Sequence, residues 1–172
     1  MTAEIRKNSR DVADALKDID REQQKLKHNL AEVRNVQLNP KASSSQSPSL
    51  DISFNTTGLE DTGWRTAQAT GALAFMPYAE SERYTSIYRV EEEFLKNEDL
   101  LAEDESRILG TIQKFHVGEG SFTREAADAL AEQFGIWQGH LLVLKIAARV
   151  LQEEQNAFLE GREPKHNLSE SL

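Results

Sequence analysis

The groups that could do chemistry are four histidines, two acidic runs and scattered hydroxyls. His28 sits among lysines, His116 precedes a turn with two glycines, His140 borders an apolar stretch, and His166 lies near the end of the chain. A di-iron bundle needs Glu-x-x-His pairs on two helices plus further glutamates. The sequence holds one such spacing, Glu163 to His166, and Pro164 inside it rules out a helical ligand pair. No metal is therefore expected. His140 is expected to be a buried or edge histidine held by a hydrogen bond.

The acidic runs are Glu91-Glu92-Glu93 and Glu98, Asp99, Glu103, Asp104, Glu105. Calcium loops place oxygen ligands at alternating positions around a glycine turn. These runs lack the glycine and fall in helical context, so they are expected to form a solvated face. Residues 77–115 carry ten acidic and five basic residues, net −5, which leaves a basic partner surface as their functional reading. Neither a Gly-x-Ser-x-Gly elbow nor a Ser-x-x-Lys element is present to activate a hydroxyl. A Walker loop and a dinucleotide fingerprint are also missing. The sequons Asn55-Thr56-Thr57 and Asn167-Leu168-Ser169 are read as chance matches. No catalytic residue and no cofactor is expected, and the chain is read as a non-enzyme.

Composition narrows the partners. The 172 residues carry a net charge of −9 and show no basic patch, so nucleic acid is excluded as a partner. The lack of cysteine removes disulfides, thiol nucleophiles and cysteine-bound zinc. No segment is read as apolar enough for a membrane span, and the N-terminus lacks an apolar leader core.

The elements that must position any site are helical. Ile5, Val12, Ile19, Leu26 and Val33 repeat every seven residues over 2–36, with Leu16, Leu30 and Val36 widening the stripe. The stripe thins at Asn8, Ser9, Glu22 and Gln23. Residues 37–50 form a polar linker, after which Leu50, Ile52 and Phe54 are expected to lie irregularly on the bundle. Residues 59–75 predict a short helix with Trp64, Ala67, Gly71, Ala74 and Phe75 near one face, ended by Pro77. Residues 77–115 predict a long helix, weak at Lys96 to Asp99. Residues 122–160 give the cleanest pattern: Ala127, Leu130, Phe134, Trp137, Leu141, Leu144, Ala148, Leu151, Gln155 and Phe158, with only Gln155 polar. Its start is capped by Ser121 or Thr123 and its end by Gly161. A second face, with Ile136, Val143, Ile146, Ala147 and Val150, predicts a central helix covered on two sides. The expected fold is all-α: an antiparallel bundle of three long helices plus one short one, spanning 1–161 as a single domain, with 162–172 a disordered tail.

Two glycines inside that last helix stand out. Gly135 and Gly139 each cost about 1 kcal/mol relative to alanine. The gain expected to offset this is close backbone contact. The reading docks the short helix against the last one, Ala67 and Gly71 against Gly135 and Gly139, with Trp64 and Trp137 at the ends. A contact with a second subunit is the competing use.

The run Thr62-Gly63-Trp64-Arg65-Thr66-Ala67-Gln68-Ala69-Thr70-Gly71-Ala72-Leu73, then Tyr84 and Ile87-Tyr88, with Glu4-Ile5 and Asn8 upstream, resembles a group of small bacterial membrane-anchored proteins. There a single N-terminal transmembrane helix precedes a long helix, a linker, a tryptophan-containing helix and a tyrosine-containing helix. The resemblance covers nearly the whole chain and departs from it in showing no membrane helix. It implies a membrane tether through a helix absent from this chain, with this domain on the periplasmic or cytoplasmic side, and it carries no activity. The expected function is a non-enzymatic helical domain that is the soluble part of a membrane-tethered bacterial protein. It would act through contacts with a protein partner or its own copies. The alternative is a ligand-sensing four-helix-bundle receptor domain.

Overall fold

The computed structural model describes residues 1–39, 49–118 and 122–165. Four α-helices follow one another: α1 (Thr2–Leu38), α2 (Thr62–Ala69), α3 (Tyr78–Lys114) and α4 (Arg124–Glu160), with a 3-10 turn at Ala72–Phe75 between α2 and α3. No strand occurs among the described residues, and the long helices pack α1 on α4 and α3 on α4. The all-α bundle read from periodicity is what the chain forms. The Ser-rich centre of the linker and the end of the tail lie outside the described residues, as do His166 and Ser121.

Helix ends follow local chemistry. The Thr123 hydroxyl accepts the Ala126 N–H at 3.2 Å and opens α4. At its far end Gly161 has φ 69°, and Arg162 N–H reaches Ala157 O at 2.9 Å, the paired closure of a Schellman end. α3 closes in the same way with His116 at the left-handed position, φ 50°. α3 runs unbroken through Lys96 to Asp99, where its sequence pattern is weak. The expected short helix over 59–75 is split instead. Gly71, at φ 70°, ends α2, and Phe75 is 91% exposed.

The chain divides into two compact units. The first comprises Met1–Lys17, Thr57–Glu98 and Val143–Leu172. In it Ile5, Tyr84, Ile87 and Tyr88 form a buried cluster, with Trp64, Met76 and Phe158 packed on it. Tyr88 Oη donates to Glu4 Oε2 at 2.9 Å, and Gly63 N–H donates to Glu4 Oε1 at 2.6 Å, which ties the start of α2 to α1.

The second unit comprises Asp18–Thr56 and Asp99–Leu142. Leu101, Ile108, Leu130, Phe134, Trp137 and Leu141 are buried there, as the α4 stripe requires. α3 and α4 run antiparallel, since Asp104 meets His140 and Thr111 meets Gln133 one heptad further on. Leu50, Ile52 and Phe54 are half-buried in a segment that is neither helix nor strand.

The α1 stripe is two rows, and the second one is polar. Ile5, Val12, Ile19, Leu26 and Val33 are buried as expected. The row beside them is Asn8, Ala15, Glu22, Asn29 and Val36, all buried, whereas Leu16 and Leu30 are only half-buried. The thin places in the pattern are therefore where polar groups point inward. Asn8 and Asn29 are satisfied on both amide groups, as burial demands, whereas Glu22 pairs with Lys25 through Oε1 at 2.9 Å and leaves its buried Oε2 without a partner. Asn8 donates to Glu60 O at 2.8 Å and accepts Glu60 N–H at 2.9 Å. Asn29 does the same to Asp51, at 2.8 and 3.1 Å. An asparagine amide bonded both ways to one peptide unit acts as a peptide surrogate, so each fastens the incoming segment as a strand neighbour would.

Candidate functional site

Three acidic residues of α3 are buried, against the expectation of a wholly solvated acidic face. Glu91 and Glu98 are each 3% exposed, as is Asp104, while Glu92 and Glu93 do face solvent. The spacing explains the difference. Tyr84, Glu91 and Glu98 recur every seven residues and so share the buried stripe. Both Glu98 oxygens accept Thr57 N–H, at 2.9 and 3.1 Å.

Glu91 is the most perturbed of the three. Its Oε1 accepts Asn8 Nδ2 at 3.0 Å from α1 and Gln155 Nε2 at 2.8 Å from α4, and both amide residues are fully buried. Burial pushes the Glu91 carboxyl up to about 7, and the charges of Glu4 and Asp61 add to this against the pull of the two amides. Burial followed by the hydrogen bond to Glu4 raises the Tyr88 phenol, which stays protonated and donates. Glu91 also lines a pocket of about 290 Å³ walled by Leu59, Trp64, Tyr88 and Leu95, with Asp61 and Arg65 paired at 2.6 Å on its rim. The Trp64 ring stacks on Tyr88, centroids 4.9 Å apart and planes 7° from parallel. A carboxyl that titrates near neutrality beside a pocket can take up or release one proton under physiological conditions.

In the second unit, Asp104 accepts from or pairs with His140 Nδ1 at 2.6 Å and with Arg107 at 3.3 Å. His140 is thus the hydrogen-bonded, half-buried edge histidine expected from its place on α4. One heptad away Gln133 donates to the Thr111 hydroxyl at 2.7 Å. Trp137, 2% exposed, lies against Phe134, and its indole N–H has no partner.

The glycine expectation is overturned. A Cβ built at Gly71, Gly135 or Gly139 would meet nothing within 4 Å, so no backbone approaches any of the three. Gly71 serves a left-handed turn, and Ala67, buried at 7%, is the inward residue of α2. Trp64 has its aromatic partner in Tyr88 and Trp137 in Phe134. Gly135 and Gly139 floor an open groove of about 390 Å³ whose sides include Gln23, Leu26 and Lys27 of α1 and Leu142 of α4.

The second apolar face of α4 is covered only in part. Ile136 and Val143 are 45% and 48% exposed, with Leu142 beside them at 40%, whereas Ile146, Ala147 and Val150 are half-buried on the helix that both α1 and α3 pack against. By length and composition α4 is long and apolar enough to cross a membrane, contrary to the reading of the sequence, with 33% of the stretch buried.

Compared with known protein families, curated proteins and solved structures, the chain matches none. Its function is therefore argued from these two features alone. Gln155 falls on the α4 stripe and Asn8 on a thin place of the α1 stripe in the sequence alone, whereas Glu91 is hidden within an acidic run. Only the seven-residue spacing on all three helices marks them as inward.

Proposed function

We propose that this chain is a non-enzymatic helical domain that works by protein contact, and that the contact surface is the uncovered row of α4. The observation that carries it is the trio Ile136, Leu142 and Val143, each 40% exposed or more, around the open floor of Gly135 and Gly139. Scattered exposed apolar residues are ordinary, but here Leu142 lines the groove and Ile136 and Val143, one heptad apart, form an exposed line on the other side of Gly135 and Gly139, a clustering that marks an interaction site. The glycines point the same way. Each weakens α4 by about 1 kcal/mol and contributes no contact inside the chain. A protein helix laid in the groove would use the close approach they allow.

A photoreactive residue at Val143, in the cell that makes the chain, tests this. A protein adduct should form there and not from the same group at exposed Arg89 on α3. Lack of any protein adduct at Val143 refutes the reading.

A further inference from the structure

The α4 row carries a pattern that names its own partner. Asp128, Gly135, Leu142 and Arg149 recur at every seventh residue, so they lie in line along one helix. The line runs acid, small, large, base. Read in the opposite direction it becomes base, large, small, acid, which is its own complement. Laid antiparallel on a second α4, Asp128 meets Arg149 and Gly135 meets Leu142. The neighbouring line obeys the same rule, with Glu132 meeting Lys145. We propose that two copies of this chain pair through this row, antiparallel, about a two-fold axis beside Gln138 and Gly139. This rests on the contact reading above and supplies the partner it leaves open.

Three physical points favour a second copy. First, the surface holds both halves of the fit: an exposed Leu142 and an open place at Gly135 that accepts a side chain without displacing anything. A two-fold interface needs such self-complementarity. Second, the charges choose the direction. A parallel pair would set Asp128 against Asp128 and Leu142 against Leu142, whereas the antiparallel pair matches opposite signs. Asp128, which accepts Gln37 Nε2 at 2.8 Å and lies 3.9 Å from Arg124, is exposed, as is Glu132, and Lys145 and Arg149, which also engage groups of their own chain, are half-exposed. Third, a lipid occupant fits poorly. Glu132 and Lys145 lie about 20 Å apart along the helix, short of the ~30 Å a hydrocarbon core requires, so one of them would be stranded in it.

The chain has no cysteine, so single cysteines report the pairing directly. Gln138→Cys, beside the axis, should form a disulfide dimer on mild oxidation. Asp128→Cys should not, because its two copies would sit about 32 Å apart along the helices. Asp128→Cys mixed with Arg149→Cys should give the mixed disulfide. In sedimentation equilibrium the unmodified chain should dimerise, and Leu142→Asp should raise the dissociation constant by about tenfold or more. Helicity and the thermal midpoint of diluted Leu142→Asp should stay unchanged, which excludes unfolding as the cause. A chain that stays monomeric at the highest attainable concentration overturns the proposal. So does self-crosslinking of Asp128→Cys, which would mean parallel pairing, or binding of the monomer to phosphatidylcholine vesicles through this row. If the chain is monomeric and Val143 captures a different protein, the second-copy inference fails and the contact reading survives. If Val143 captures nothing, both fail.

Discussion

Gln155 donates its side-chain amide to Oε1 of Glu91 at 2.8 Å, and both residues are buried. Gln155 is the one polar break in the apolar stripe of α4, and Glu91 holds the matching place on α3. A pair of this kind, closed by Asn8 from α1, fixes the register of three helices, because sliding any of them strands a buried polar group.

The first prediction concerns pH. The Glu91 carboxyl titrates at about 7 when folded, against 4.5 for a glutamate free in water. A raised carboxyl means that the folded state holds the proton more tightly. Its contribution is complete below about 4.5 and is lost as pH rises through 7, amounting to roughly 3 kcal/mol. Glu91→Gln keeps the shape and an oxygen for the two amides, and removes the cost of ionisation. Urea melts at pH 5 and pH 8 should show the variant more stable than the parent at pH 8, by about 1–3 kcal/mol, with little difference at pH 5. Equal effects at both pH values would mean that Glu91 does not titrate in this range.

A second prediction separates the clamps. Asn29→Ala releases both backbone groups of Asp51 and should cost about 1–3 kcal/mol, with faster proteolysis within residues 49–56. Asn8→Ala releases Glu60 in the same way and also deprives Glu91 of one donor. That donor stabilises the carboxylate, so Asn8→Ala should move the Glu91 titration upward. Side-chain carboxyl NMR of the two variants checks this: a shift in Asn8→Ala and none in Asn29→Ala.

The third prediction tests the core. Leu141 is 1% exposed at the centre of the α4 stripe, and Leu141→Ala should cost roughly 2–5 kcal/mol in equilibrium unfolding. A loss under ~0.5 kcal/mol would place that face at the surface.

Much of this architecture is legible in sequence because helical burial repeats every three to four residues. The α4 stripe, the Thr123 cap, the Gly161 end and the edge place of His140 all follow from local rules. The acidic residues of α3 are harder to read, because their composition points to solvent while their spacing points inward. Three glutamates in a row look solvated, yet Glu91 alone falls in line with Tyr84. The glycines misled for another reason. A helical glycine announces that no side chain is present there, and it does not say whether a neighbour fills the space. Gly135 and Gly139 are open, and only three-dimensional placement reveals it.

The fourth prediction turns that difference into opposite signs. At Gly71 the backbone has φ 70°, where a Cβ crowds the following carbonyl, although nothing else lies within 4 Å. Gly71→Ala should therefore destabilise the chain by about 1 kcal/mol or more. At Gly139 the backbone is helical and the space around a new Cβ is empty as well. Gly139→Ala should leave packing untouched, raise helix propensity and stabilise the isolated chain by about 0.5–1 kcal/mol. The melts should be run at low protein concentration, so that any association through the α4 row contributes nothing. The two substitutions add the same methyl group to the same residue type, so the sign of each effect reports the local backbone. A loss of stability in Gly139→Ala under those conditions would show that its Cβ meets a neighbour, and would reinstate a packed glycine contact within the chain.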